Sequence, residues 1–333
     1  MDNSTLSHLA SQALSNITAY GVFILAPALF LLLINLKSLP LTWHMRLFYG
    51  YIKHYYLERN RPLPISTPTN LTLFQSTIYT SSTPLLELDF NLHKSNSTYF
   101  SDLDIARGHH LYCLFRLGFS KYSSAIQNPS TISSPISTST AVQEDSATTA
   151  KINPGRGSVH PALGGVACTF KREIKPYQQY EIWTRVVSWD TKWLYLISHF
   201  VERGAGNPTG YSDQPWRQHH SRQKASSEDS EVGQKGRSGI ENKTVKGPKI
   251  YAFAVSKYAF KQDRLTVSPT AFLEACELLP EISADGGGSE GGKILWVAIE
   301  VKRKEGMGLC GNMAGLEEGL GLFEEEDICF ARY

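Results

Sequence analysis

The sequence predicts an α+β domain: an antiparallel sheet wrapped around one long central helix, preceded by a transmembrane helix and interrupted by polar insertions. Three observations carry that prediction. Residues 85–90 alternate apolar and polar, as a half-buried strand does. Tyr99, Leu103, Ala106, His110 and Leu114 then recur at three- and four-residue steps, the stripe of an amphipathic helix. Beyond them lie runs rich in aromatic and β-branched residues with period-two alternation, which read as consecutive strands.

In chain order, residues 17–36 come first, twenty positions without a charged side chain. At ~1.5 Å per residue they reach across the ~30 Å hydrocarbon layer, so a transmembrane helix is expected, with residues 1–16 a short lumenal N-terminus. A cleaved signal peptide fits less well, because no basic residue precedes the apolar core. Lys37, Arg46 and Lys53 follow the span and Asp2 alone precedes it, which by the positive-inside rule puts the remaining chain on the cytosolic face. Trp43, Tyr49, Tyr51, Tyr55 and Tyr56 are expected to form an interfacial belt. Sequons at Asn3 and Asn16 fall on the lumenal side, and the one at Asn96 is taken as accidental.

The central helix opens at Ser95 and Asn96, both good N-cap types, with Asp102 and Asp104 toward its positive end. Strands are expected at 166–174, 180–188 and 192–201, turning at Lys175-Pro176-Tyr177 and Asp190-Thr191, with another at 250–260. Ser268-Pro269 starts a short helix. The domain so outlined runs over 40–275. Within it, residues 121–158 (rich in Ser and Thr) and 205–248 (polar, of mixed charge) hold too few apolar anchors to offset their ordering entropy and are expected to be disordered. Residues 276–333 form a linker and tail: a glycine-rich stretch at 285–292, then an apolar run at 294–299 ahead of Lys302-Arg303-Lys304. Whether that run is a helix on the domain or on a membrane surface stays open.

Composition excludes more than it assigns. A net charge of +2 argues against a nucleic-acid partner, which calls for a basic face. Five cysteines, an odd number without close ligand spacing, suggest neither a zinc site nor a disulfide framework. The glycines at 285–292 lack the strand-to-helix setting of a phosphate loop, so no nucleotide, metal or other cofactor is expected.

The chemistry concentrates at the start of the central helix. Asp89, His93 and Asn96 precede or begin it, and a carboxylate just before a helix N-terminus is well placed against a polarised carbonyl. The order Asp89, His93, Asn96, Tyr99, then Leu103-Asp104-Ile105-Ala106-Arg107 resembles the hotdog-fold thioesterases of the 4-hydroxybenzoyl-CoA and acyl-CoA type. The phrase Phe170-Lys171-Arg172-Glu173-Ile174-Lys175-Pro176-Tyr177 extends the resemblance to a fungal group that accompanies lipopeptide and polyketide pathways. Two departures stand out: Leu92 where a glycine is usual before the histidine, and Ser95 in place of the first asparagine.

That resemblance implies hydrolysis of an acyl thioester carried by coenzyme A or a carrier protein, by a homodimer. Asp89 takes the role of general base or nucleophile, with His93 and Asn96 beside it. Backbone amides near Ser97 and Thr98 hold the oxyanion, and Asp104 is a second candidate acid. Together with the expected span, this places a single-pass protein in a membrane such as the endoplasmic reticulum, its catalytic domain cytosolic. Two other classes stay open: a hotdog dehydratase, and a non-catalytic membrane-anchored acyl-binding protein.

Overall fold

The computed structural model describes residues 3–119, 121, 158–206, 208, 210–217, 249–280, 289–311 and 313, with the side chains of 3–7, 9–10 and 13–20 left aside. Most of the expected insertions at 121–158 and 205–248, and residues 285–288, lie outside these. Six strands make one antiparallel sheet: β1 (Thr77–Ser82), β2 (Val159–Phe170), β3 (Gln179–Trp189), β4 (Leu194–Glu202), β5 (Ile250–Gln262) and β6 (Leu265–Val267). Their order is β1-β3-β4-β5-β2, with β6 also paired to β5. The central helix α3 (Asn96–Leu114) packs on one face, which is the hotdog arrangement expected from the sequence.

The helical stripe is the one the periodicity marked. Tyr99, Leu103, Ala106, His110 and Leu114 are all buried. Tyr99 sits between Phe170 and Phe200, at ring-centroid distances of 5.0 and 4.9 Å. Along β4, Leu194 and Leu196 join the cluster that contains Leu111 and Phe115 of the helix segment, whereas the intervening Tyr195 and Ile197 join Cys310 and Met307. Strand side chains alternate faces, so the C-terminal turns of the last helix lie on the side of the sheet opposite α3, while its Ile299 joins the cluster of Leu111 and Phe115. That helix follows a short one (α4, Pro269–Ala275) and is α5, Glu290–Cys310. The question of where the tail's apolar run lies is thus settled by packing: Ile299 is 1% exposed, and Arg303 donates to the Trp189 carbonyl at 3.0 Å. Gly306 is needed there, because a Cβ would stand 2.1 Å from the Val187 carbonyl oxygen. Gly291 and Gly292 belong to the first turn of α5, where the Ser289 hydroxyl accepts from the Gly292 amide.

Two sequence expectations fail. The alternating run at 85–90 is not a strand. Residues Leu85–Glu87 form a 3-10 turn behind Pro84, and the first strand is the polar β1, whose sequence Thr-Ile-Tyr-Thr-Ser-Ser lacks apolar alternation. Glu87, a polar residue of that run, is buried against cations that only the fold assembles.

The transmembrane span is the second failure, and with it the membrane localisation, the lumenal N-terminus and the orientation drawn from flanking charge. Among the described residues no helix is long and apolar enough to cross a membrane. Helix α1 (Asn3–Ile34) holds Pro27 and an exposed apolar run over Gly21–Ile34. The helix then stops. Asn35 turns the chain, its amide group donating to the Leu31 carbonyl and its oxygen accepting from the Leu86 amide. Lys37 and Arg46, read as flanking charges, instead enter the domain and pair with the buried Asp102. Part of the expected aromatic belt packs inward: in helix α2 (Thr42–Tyr51) and the turn after it, Tyr51 stacks on Tyr55 at 4.8 Å and meets Tyr112 of α3 at 5.1 Å, while Tyr49 and Tyr56 stay exposed.

Candidate active site

Residues 87–95 form a tight hairpin that carries the expected acid and leads into α3. Leu88 bridges Lys94, and the Asp89 amide donates to the His93 carbonyl at 3.0 Å. At the tip the Leu92 amide donates to the Asp89 carbonyl at 3.1 Å, and Leu92 has φ +60°. A turn closed by a left-handed residue favours glycine, because Cβ crowds the backbone there. The glycine usual at this position in the resembling family therefore has a local geometric cause, and this chain carries leucine against it.

The hairpin brings Asp89 and His93 together. One Asp89 oxygen accepts from the Asn91 amide at 2.9 Å, and the other lies 3.3 Å from His93 Nδ1. Both side chains are 22% exposed. Asn96 and Ser97 follow at once as the exposed first turn of α3. The Thr98 amide is taken by the Ser95 carbonyl at 3.0 Å, so the amides of Asn96 and Ser97 are the ones a helix start leaves without an acceptor. Asp104 stands apart, two turns along, tied to Arg107, which also donates to Ser256 at 2.7 Å. Around the turn Leu86, Phe90 and Leu92 are 66%, 92% and 70% exposed, an apolar rim on an otherwise polar loop.

Below the hairpin lies a group that sequence reasoning did not find. Glu87 and Asp102 share Lys94 and Lys37: Lys94 Nζ is 2.6 Å from Glu87 and 2.9 Å from Asp102, and Lys37 Nζ is 2.8 and 2.9 Å from the same pair. Arg46 reaches Asp102 at 3.2 Å, Ser81 donates to it at 3.2 Å, and the Tyr180 hydroxyl donates to it as well. Burial alone would raise the Asp102 carboxyl, but Lys37 and Lys94 outweigh it and hold the group well below the usual carboxylate range. Burial conversely lowers Lys37, against the pull of Asp102. A carboxylate so enclosed is a structural anchor. Its two lysines come from segments 57 residues apart in sequence, 37 and 94, so no local pattern announced it.

No ligand site for a metal emerges: among the described residues no cluster of histidine, cysteine and carboxylate side chains could hold an ion. Comparison with known proteins agrees with the fold. Residues 83–234 match the model of the thioesterase-like superfamily. A probable thioesterase of Emericella nidulans, atnL, is 33% identical over 303 residues, covering 87% of this chain and 84% of that protein. The thioesterase poxG of Penicillium oxalicum is 34% identical over 292 residues, with 87% and 83% covered. The thioesterase lcsJ of Purpureocillium lilacinum is 29% identical over 325 residues, with 86% and 88% covered. Among solved structures, a gentisyl-coenzyme A thioesterase aligns over 60% of this chain and 99% of its own at 13% identity, with a TM-score of 0.31, too low to add to the argument.

Proposed function

This chain belongs to the thioesterase-like superfamily and is a thioester hydrolase, and on that premise we propose that Asp89 is the carboxylate that drives the reaction. The observation supporting this is the hairpin itself, which pairs Asp89 with His93 at an apolar-rimmed turn directly ahead of α3 in the chain. A thioester needs help because water attacks its carbonyl slowly at neutral pH, although the thiolate leaves readily. The amides of Asn96 and Ser97, backed by the helix dipole, take the developing oxyanion. Asp89 removes a proton from the attacking water, the tetrahedral intermediate expels the thiolate, and that proton passes to the sulfur. The alternative route has Asp89 attack directly, forming a mixed anhydride that water then opens. His93 and the Asn96 amide group orient the water or the carbonyl.

The substrate in this reading is an acyl-CoA or a carrier-protein-bound acyl chain from lipid or secondary-metabolite biosynthesis, in keeping with fungal thioesterases as relatives. The working unit is a homodimer. Strand β2 is a sheet edge without Lys, Arg, Asp or Glu, and beyond Pro161 and the bulge at Leu163/Gly165 its stretch from Val166 to Phe170 is open to pairing. The exposed Leu86, Phe90 and Leu92 likewise call for a covering surface.

Thiol release from short to long acyl-CoA and acyl-pantetheine thioesters tests the assignment. Asp89→Asn should lose about 10²- to 10⁴-fold in kcat, the usual worth of a general base, with Asp104→Asn near wild type. Equal losses in both variants, or an unimpaired Asp89→Asn, would reject Asp89.

A further inference from the structure

Little apolar packing holds the turn that carries Asp89. Leu86, Phe90 and Leu92 all face solvent, so polar ties must fix its place. The exit arm of the hairpin is tied within the domain. The Lys94 amide donates to the Ile174 carbonyl at 2.9 Å, and the enclosed Lys94 ammonium meets Asp102 of α3 at 2.9 Å.

The entry arm is tied to the elbow between α1 and α2. Asn35 donates to the Leu31 carbonyl at 2.8 Å, which aims its Oδ1 at the Leu86 amide, 2.9 Å away. Lys37 Nζ donates to the Ser82 carbonyl at 2.8 Å, to Glu87 at 2.8 Å and to Asp102 at 2.9 Å. One lysine thereby joins the end of β1, the entry arm and the central helix. Glu87 is shared with Lys94 at 2.6 Å, so the two arms also meet across this group. Asn35 is 3% exposed and the Lys37 side chain 14%, which shields these bonds from competing water and strengthens them. Both residues lie ahead of 83–234, the stretch that matches the superfamily model.

We propose that Asn35 and Lys37 are positioning residues for the hydrolysis: from the α1–α2 elbow they hold the entry arm of the hairpin, so that Asp89 keeps a fixed position. The proposal rests on the reading of Asp89 as the acid. Neither side chain touches the reacting atoms; both act through the backbone of residues 82–87 and the Glu87 carboxylate. A displacement of about 1 Å at a reacting group can cost about 10²-fold in rate. Such a displacement weakens an interaction made in the transition state, so it lowers kcat and leaves KM nearly unchanged.

The test measures kcat and KM for thiol release from the acyl-CoA that the wild-type protein turns over fastest, and amide hydrogen exchange of residues 86–95 by mass spectrometry. The full-length variants are Asn35→Ala, Lys37→Met and a stability control, Ile299→Ala, which opens the core around Leu111 and Phe115. All are assayed well below their own Tm. The two elbow variants should lower kcat about ten- to a hundredfold, hold KM within about twofold and speed exchange at 86–95. Ile299→Ala should keep wild-type kcat and wild-type exchange there; were the elbow only a source of stability, the three variants would behave alike. Wild-type kcat or wild-type exchange at 86–95 in the elbow variants would overturn the proposal, and so would equal losses in Ile299→Ala. Should Lys37→Met fail to fold, Asn35→Ala decides. A fully active Asp89→Asn would instead reject the acid, and the exchange rates would still report whether the elbow holds the turn.

Discussion

Replacing Asp102 by asparagine keeps the side chain's shape and removes one charge, and the structure makes that a severe change. The buried group holds three cations, Lys37, Arg46 and Lys94, against two carboxylates, Glu87 and Asp102. Asp102→Asn leaves three cations facing one carboxylate. Hydrogen bonding worsens too. One oxygen of Asp102 accepts from Arg46 and Ser81, and the other accepts from Lys37, Lys94 and Tyr180. Whichever way the new amide lies, its NH₂ confronts donors. Breaking a buried pair so that charge is left uncompensated costs about 3–5 kcal/mol. For a domain of this size that lowers Tm by about 6–20 °C. Denaturant unfolding at pH 7 measures the free energy and calorimetry the Tm. Adding Lys37→Met removes one surplus cation, so the double variant should be less destabilised than the sum of the two single changes. A loss under about 1 kcal/mol for Asp102→Asn, or strict additivity with Lys37→Met, would refute the reasoning. The second result would also refute the docking of the α1–α2 segment through Lys37.

Leu92→Gly should stabilise the protein by about 0.5–1 kcal/mol, raising Tm by about 1–4 °C, because Leu92 holds φ +60° while 70% exposed and so gives up little packing; a lower Tm on thermal unfolding would contradict the turn geometry. Acid should weaken the fold between about pH 6.5 and 4. An unfolded histidine binds its proton near 6.5, whereas burial holds folded His109 at about 4 and His110 at about 3, so over that window the unfolded chain carries more protons and stability falls as pH drops. The slope is up to ~1.4 kcal/mol per pH unit for each histidine. Denaturant titrations at pH 7, 6 and 5 should show a shallower slope in His110→Phe, and an unchanged slope would remove His110 from the account.

What the sequence alone determined here are the features set by neighbours in the chain. The stripe from Tyr99 to Leu114, the meander through β3 and β4, and the proline-opened α4 all follow from local periodicity and turn chemistry, and the structure has them within a few residues. The hairpin acid and histidine were likewise visible, since Asp89 and His93 meet across four residues. Tertiary structure decided the rest. Strand β1 has no apolar alternation because it is half-covered by side chains of α2 and α3 rather than by a uniform core, so only its pairing with β3 identifies it. The run at 85–90 alternates like a strand, yet Glu87 turns inward because Lys37 and Lys94 converge on it. Lys37 and Arg46 read as charges flanking a membrane span until the fold brings Asp102 to meet them. His110 looks like one more stripe residue, and only its packing against Thr77 of β1 shows that its Nε2 lacks a partner among the described residues. Charge compensation and hydrogen-bond satisfaction depend on which groups meet in space, and residues dozens of positions apart leave no periodic trace of that meeting.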